Sequence, residues 1–95
     1  MSERVVLVGA GNMATAIACS LKEGGNAPVA VWSRTLESAA LLGSRVECAF
    51  TDDLDALPAA DIVVISVTDN ALHTVAAAVA QRFPDALLLH TAGSI

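Results

Sequence analysis

Short apolar runs alternate with longer amphipathic segments along the chain. Five such runs are found, at 5–8, 29–32, 46–50, 62–67 and 86–89. Apolar runs of this length, separated by helical patterns, are typical of βαβ units in which a parallel sheet is buried on both faces. The pattern therefore predicts an α/β fold with five parallel strands and helices packed on them.

The segments between the runs carry helix start and stop signals. A first helix is predicted by apolar residues at every fourth position, Met13, Ile17 and Leu21. The glycine pair at 24–25 is a typical stop for it. A second, shorter helix has Thr35 as its N-cap and Gly43 behind it, and its apolar positions are Leu36, Ala39 and Ala40.

Two further helical segments follow. Asp52 is expected to cap one turn of helix that runs through Leu57 and ends at Pro58. The last helix begins at Asp69 or Asn70 and closes before Pro84. Its apolar side is formed by Leu72, Val75, Ala76, Val79 and Phe83.

Right-handed crossovers between these strands give the order 3-2-1-4-5. This is the order of a doubly wound, Rossmann-like sheet, in which a ligand binds across the carboxyl ends of the strands. At 95 residues the chain is long enough for one domain only. We therefore expect residues 1–95 to form a single Rossmann-like domain.

The segment Gly9-Ala10-Gly11-Asn12-Met13-Ala14 joins the first strand to the first helix. In such a turn the first glycine permits a tight bend and the second lets the backbone approach a pyrophosphate. The third position, Ala14, is small so that the helix can pack on the sheet. The motif alone also fits a structural strand-to-helix turn, but its place inside a βαβ unit favours a dinucleotide.

The end of the second strand indicates which dinucleotide to expect. Enzymes that prefer NAD place an acid there, but no acid lies between Glu23 and Glu37. The strand leads instead into Ser33-Arg34-Thr35, where two hydroxyls flank a guanidinium that can hold a 2′-phosphate. This favours NADP(H), although Thr35 is also explained as a helix cap and Arg34 as a solvated charge.

The ends of strands four and five are expected near the nicotinamide. Val67 and Thr68 would contact it through their backbone, and Asp69 is favoured as an N-cap over a catalytic acid. His90 is a candidate proton donor, because imidazole titrates near neutrality. A histidine at this place more often bonds the backbone or lines a pocket, so the catalytic residue stays unassigned.

Composition and charge limit the kinds of binding partner to expect. The net charge is −5 and only 5 residues are Lys or Arg, so the chain lacks the basic surface that nucleic-acid binding requires. No stretch reaches the ~20 apolar residues of a membrane span. Residues 4–21 loosely imitate a secretory signal, but Gly9, Gly11 and Asn12 interrupt it, and we expect a cytoplasmic protein.

Cysteines and acids do not predict a metal site. Cys19 and Cys48 are far apart in the sequence and belong to no CxxC motif, so reduced thiols are expected rather than zinc or a disulfide. Asp52, Asp53 and Asp55 are expected as acids in the first turn of a helix, where the dipole favours them.

GAGNMATAIACSL resembles the phosphate turn and first helix of the pyrroline-5-carboxylate reductase and deazaflavin-dependent NADP oxidoreductase group of Rossmann proteins. WSRT, SVTDNAL and LLLHTAGSI resemble a branch in which this domain precedes a helical C-terminal domain of unknown function. The resemblance implies pyrophosphate contacts at Gly9, Gly11, Asn12 and Met13, and 2′-phosphate contacts at 33–35. It also implies nicotinamide-side contacts at Val67, Thr68, Ala92 and Gly93.

The resemblance also bears on function. It implies the NADP(H)-binding domain of an oxidoreductase that transfers hydride to a carbonyl or imine of a small molecule. The resemblance implies a Val-Lys-Pro pattern at this place in true pyrroline-5-carboxylate reductases. This chain has Val-Thr-Asp at 67–69, so pyrroline-5-carboxylate is not favoured as the substrate. We expect the substrate domain and a homodimer interface to lie outside these residues, and no activity from them alone. A non-catalytic NADP(H)-sensing module is the alternative.

Overall fold

Five parallel strands form one sheet in the computed structural model, which describes residues 4–9, 11–66 and 69–90, with the backbone alone for 12, 13, 69–73 and 90. The strands are β1 (Val5–Val8), β2 (Ala30–Trp32), β3 (Ala49–Thr51), β4 (Ile62–Ile65) and β5 (Leu87–His90). The helices are α1 (Asn12–Glu23), α2 (Leu36–Val46) and α3 (Asp69–Arg82), with a 3₁₀ helix at Leu54–Ala56. The sheet order β3-β2-β1-β4-β5 confirms the predicted Rossmann-like topology.

Alternate strand residues are buried on opposite faces of the sheet, as its period of two requires. One face packs with α1 and α2 in a cluster of Val5, Leu7, Ala14, Ala18, Val31, Leu42, Val46 and Val64. The other face packs with α3 and the 3₁₀ helix in a cluster of Val6, Val8, Ala30, Trp32, Leu57, Val63, Ile65, Val75, Val79 and Phe83. Each fully buried valine or leucine contributes about 1.5–3 kcal/mol, so these two layers hold the strand ends in place.

The main difference from the sequence prediction lies between α2 and β3. The run 46–50 is not one strand, because α2 continues to Val46 and β3 begins at Ala49. Glu47, in the left-handed conformation (φ 58°, ψ 48°), closes the helix. Gly43 is not the helix stop: it lies inside α2, where an added Cβ would come within 2.7 Å of Cδ2 of Phe50. Close packing of α2 on β3 therefore accounts for this glycine.

Smaller corrections concern the ends of elements. Asp53, rather than Asp52, caps the 3₁₀ helix, because it directly precedes that helix and accepts a hydrogen bond from the Asp55 N–H at 3.0 Å. Strand β2 starts at Ala30, β4 ends at Ile65, and β5 lies one residue later than predicted. The predicted ends of α1 and start of α2 are confirmed, at Gly24 and Thr35.

The strand register brings the carboxyl ends to one edge of the sheet. Val8 pairs with Trp32 on one side and with Ile65 on the other. Trp32 pairs in turn with Thr51, and Ile65 with His90. The carboxyl ends of the strands therefore lie along one edge of the sheet, which is where ligands of doubly wound sheets bind.

Candidate functional site

The turn that leaves β1 is fixed by Gly9. Its φ of 120° lies in a region that residues with a side chain rarely adopt. Its N–H donates a hydrogen bond of 2.6 Å to the carbonyl of Trp32. The first glycine of the motif thus bends the chain sharply at the carboxyl edge and ties the bend to the end of β2.

The start of α1 presents free backbone donors. Gly11 is the N-cap, and no side chain caps the helix there. The first intrahelical bond runs from the Thr15 N–H to the Gly11 carbonyl at 2.9 Å, so the N–H groups of 12–14 have no acceptor within the helix. A Cβ built on Gly11 would meet no described heavy atom within 4 Å beyond its chain neighbours. There is therefore open space beside the start of α1.

The electrostatics of this helix start favour an anion. The first turn of α1 contains no acidic residue, whereas α2 has Glu37 and the 3₁₀ helix has Asp55 in that position. The positive end of the helix dipole is therefore not neutralised within its own first turn. Ala14, the third position of the motif, is fully buried against the sheet, as the predicted close packing requires.

Thr15 belongs to the turn, although sequence reasoning did not single it out. Its hydroxyl donates a hydrogen bond of 2.9 Å to the Gly11 carbonyl, in addition to the bond from its own N–H. Two bonds to one carbonyl fix the orientation of the peptide that follows Gly11. The available signal was a threonine four residues after the N-cap, from where a hydroxyl can bond back to the i−4 carbonyl.

The segment after β2 brings Ser33, Arg34 and Thr35 together at the same edge. Ser33 is buried, and its N–H donates to the Thr51 carbonyl at 3.2 Å. The Thr35 hydroxyl accepts from the Ser38 N–H at 3.3 Å, so its role as a helix cap is confirmed. Because a hydroxyl both accepts and donates, capping leaves its hydrogen free for a ligand. Arg34 is exposed between them.

Part of the predicted nicotinamide side lies outside the described residues. This applies to Val67, Thr68, Ala92 and Gly93, and to the side chains of Asp69 and His90. The backbone of His90 ends β5 opposite Ile65. The Ser66 N–H donates to the Val8 carbonyl at 2.7 Å, so Ser66 lies beside the end of β1.

Trp32 lies below this edge rather than on it. Its backbone ends β2, but its ring is 7% exposed and packs in the cluster under α3. The indole N–H has no acceptor among the described residues. A buried ring next to the edge is well placed to report on a bound dinucleotide through its emission.

Other types of site receive no support within the described part of the chain. No group of three or more His, Cys, Asp or Glu there is arranged to hold a metal ion. Cys19 and Cys48 are both free and half-buried, and burial raises the pKa of the Cys48 thiol. No helix in the described ranges is long and apolar enough to cross a membrane.

Comparisons with known proteins agree with a dinucleotide site. The family model described as NADP oxidoreductase, coenzyme F420-dependent, matches residues 4–93. BF3122 of Bacteroides fragilis, a protein assigned as an NADP oxidoreductase, has a solved structure that is 40% identical to this chain, with a TM-score of 0.89. A search among curated proteins gave no match.

More distant structures share the fold. A pyrroline-5-carboxylate reductase from Coxiella burnetii is 28% identical over 79% of this chain, with a TM-score of 0.68. The UDP-N-acetylglucosamine 3-dehydrogenase GnnA of Acidithiobacillus ferrooxidans is 24% identical over 95% of the chain, with a TM-score of 0.76. The chain is short beside all three: 99% of it covers 37% of BF3122, and it covers 29% of each of the other two.

Proposed function

Because the chain belongs to the family of coenzyme F420-dependent NADP oxidoreductases, we propose that it is the NADP(H)-binding domain of an oxidoreductase that transfers hydride to a carbonyl or imine. The start of α1 carries the proposal. Its free N–H groups adjoin open space at Gly11, and no acid lies in its first turn. A pyrophosphate is complementary to this arrangement in both charge and hydrogen bonding.

Each residue of the turn has a role in this proposal. Gly9 makes the bend, and Gly11 leaves room for the phosphate oxygens. The backbone N–H groups of Asn12 and Met13 donate to those oxygens. Ala14 keeps α1 close to the sheet, so that the donors sit directly over the end of β1.

The segment 33–35 selects NADP(H) over NAD(H). Arg34 is exposed, and no described carboxylate lies within 4.0 Å of it, so its guanidinium is available to a 2′-phosphate. The hydroxyls of Ser33 and Thr35 add donors on either side. Charge-assisted hydrogen bonds of this type are about twice as strong as neutral ones, which makes Arg34 the main determinant of the preference.

The hydride chemistry is supplied by the bound nicotinamide, and the domain contributes position. We assign the contacts on that side to Val67, Thr68, Ala92 and Gly93. His90 is the candidate proton donor, since it ends the strand next to β4.

The rest of the reaction is assigned to polypeptide beyond these residues. The chain covers 37% of BF3122, and we propose that the substrate pocket for a small molecule, and a homodimer interface, belong to the remaining part of such a protein. We place the protein in the cytoplasm, where its two free cysteines stay reduced.

Arg34→Ala tests the assignment of NADP(H). The variant should bind NADPH more weakly by about 1–3 kcal/mol, the range for losing a hydrogen bond to a charged group, and should bind NADH almost as before. Binding is followed through emission of Trp32, the chain's single tryptophan, with energy transfer to the reduced nicotinamide as the signal.

Lys22→Ala is the matched control, because it also removes one positive charge. Lys22 lies near the far end of α1, about 16 Å along the helix from Gly11. Its loss should leave the preference for NADPH intact. Equal losses for NADPH and NADH in the Arg34 variant would contradict the role of Arg34, and no saturable signal with either cofactor would remove the proposal.

A non-catalytic NADP(H)-sensing module is the second candidate. It is favoured because the sequence offers no convincing acid–base pair for proton transfer. Tight NADPH binding by the protein in its natural length, without oxidation of NADPH by any carbonyl or imine substrate, would favour this candidate over the oxidoreductase.

A further inference from the structure

The start of α1 is held differently from the starts of α2 and the 3₁₀ helix. In those two helices the N-cap residues, Thr35 and Asp53, accept a backbone N–H of the first turn through their own side chains. The N-cap of α1 is Gly11, which has no side chain for this purpose. A group that fixes the first peptide of α1 must therefore come from another residue.

Thr15 supplies such a group from inside the helix. Its hydroxyl donates to the Gly11 carbonyl at 2.9 Å, and its own N–H donates to the same oxygen at 2.9 Å. A carbonyl oxygen has two lone pairs, so one residue engages both. Thr15 is half-buried on the side of α1 that faces α2, and threonine is stiff at χ1, so its hydroxyl is held in place.

The Gly11 carbonyl and the Asn12 N–H belong to one peptide group. In a trans peptide the carbonyl and the N–H lie in one plane and point in opposite directions. Because the Gly11 carbonyl points into the helix toward Thr15, the Asn12 N–H points out of the N-terminal end. Fixing the carbonyl therefore fixes this donor too, and hydrogen bonds to the carbonyl polarise the peptide and strengthen its N–H as a donor.

Helix stability does not account for the hydroxyl of Thr15. Threonine is a poorer helix former than alanine, and a hydroxyl that bonds back to the i−4 carbonyl slightly destabilises a helix. The Gly11 carbonyl already has its helical partner in the Thr15 N–H. The second bond therefore orders the first peptide of α1 rather than completing the helix.

We infer that Thr15 is a positioning residue for a dinucleotide pyrophosphate. Its hydroxyl orients the peptide between Gly11 and Asn12 from within the helix, so the space beside Gly11 stays free for phosphate oxygens. A side chain at the N-cap would instead enter that space and occupy the N–H groups that the phosphates need. This role of Thr15 rests on the proposed function, because the donor that it orients is the one assigned to the pyrophosphate.

Thr15→Val tests this role, because it removes the hydroxyl and keeps the shape of the side chain. The variant should bind NADPH and NADH about three- to tenfold more weakly, by the same factor for both, since both contain the pyrophosphate. Thr15→Ser keeps a hydroxyl and should restore most of the affinity. Thr74→Val is the matched control: Thr74 is exposed on α3, on the opposite face of the sheet, and its loss should leave both affinities unchanged. Calorimetric titration measures these affinities.

Two measurements on the protein without cofactor separate orientation from stability. The melting temperature of Thr15→Val should stay within about 4 °C of that of the natural sequence. The NMR order parameter of the Asn12 N–H should be lower in Thr15→Val than in the natural sequence, and Thr15→Ser should recover it.

Several results would overturn the role of Thr15 and leave the dinucleotide site in place. These are unchanged affinity in Thr15→Val, a loss for NADPH alone, a loss that Thr15→Ser does not restore, or an Asn12 order parameter that is equal in all three proteins. If the natural sequence bound neither cofactor saturably, the proposed function itself would fail, and the role of Thr15 would fail with it.

Discussion

Gly9 and Gly11 lie in the same turn for different physical reasons. Gly9 has a φ of 120°, so its backbone conformation alone requires glycine. Gly11 has a φ of −80°, which any residue adopts, and a Cβ there would meet no described heavy atom within 4 Å beyond its chain neighbours. Under the proposed function, glycine at Gly11 is therefore required by the ligand rather than by the fold. Substitutions at Gly9 and Gly11 thus test folding and binding separately.

Gly11→Ala should bind NADPH poorly while folding normally. The new methyl group occupies the space proposed for the phosphates, so NADPH affinity should fall at least tenfold, about 1.4 kcal/mol. The free energy of unfolding should change by less than about 1 kcal/mol, since alanine restricts the unfolded chain but is a poorer N-cap than glycine. Calorimetric titration and urea unfolding measure the two quantities.

Gly9→Ala is the matched control and should lose stability by about 1–2 kcal/mol, because alanine is strained at positive φ. If Gly11→Ala bound NADPH as tightly as the natural sequence, the open space above Gly11 would not be the phosphate site.

At the scale of elements, the contact of α2 with β3 depends on the absence of a side chain at Gly43. A Cβ at Gly43 would lie 2.7 Å from Cδ2 and 2.9 Å from Cβ of Phe50, and 3.1 Å from the Cys48 carbonyl. The helix cannot approach β3 this closely with a larger residue. Because Thr35 caps α2, the position of this helix also sets the position of the segment proposed to bind the 2′-phosphate.

Gly43→Ala should therefore destabilise the domain, although alanine is the better helix former. Overpacking typically costs about 1–3 kcal/mol, which exceeds the gain of about 1 kcal/mol in helix propensity. Urea unfolding measures the change. The loss of stability caused by Gly43→Ala should be smaller in a protein that already carries Phe50→Ala, because the new methyl group no longer meets the ring. If Gly43→Ala by itself left the stability unchanged or raised it, the packing argument would be contradicted.

The ends of α1 and α2 are joined by the ion pair of Lys22 and Glu47. The hydrogen bond and charge of Lys22 lower the pKa of Glu47 below its usual 4.5. A lowered carboxylate pKa contributes stability above pH 4.5 that is lost as the pH falls through the pKa of the folded state. The melting temperature of the natural sequence should thus exceed that of Glu47→Gln at pH 7, and the difference should vanish toward pH 3. A difference that persists at pH 3 would contradict the pairing.

Strand and helix patterns predicted most elements, because burial on both sheet faces leaves a strong apolar signal in 5–8 and 62–65. The run 46–50 was misassigned because its apolar residues belong to two different elements. Val46 belongs to the buried side of α2, whereas 49–51 form an edge strand whose Phe50 is 42% exposed. Periodicity over so few residues does not distinguish the end of a helix from the start of a strand.

The site was predictable where the motif dictates backbone geometry, as at Gly9, Gly11 and Ala14. The double hydrogen bond of Thr15 to the Gly11 carbonyl spans only four residues, so a local pattern could have reported it. The ion pair of Lys22 and Glu47 joins residues 25 positions apart, and local sequence patterns do not report such contacts.

At the scale of the whole molecule, the domain aligns with 37% of BF3122 over 99% of its own length. Under the proposed function, substrate choice belongs to residues beyond this sheet, and cofactor choice belongs to its carboxyl edge. We propose that this edge binds NADP(H) through the start of α1 and the segment after β2.

The most direct test maps NADPH on the ¹⁵N-labelled protein by amide chemical shifts, with NADH as the comparison. We expect saturable shifts at 11–15 with both cofactors, and additional shifts at 33–35 with NADPH alone, accompanied by tighter binding. Saturable shifts confined to other parts of the domain, or no saturable shift with either cofactor, would contradict the proposal.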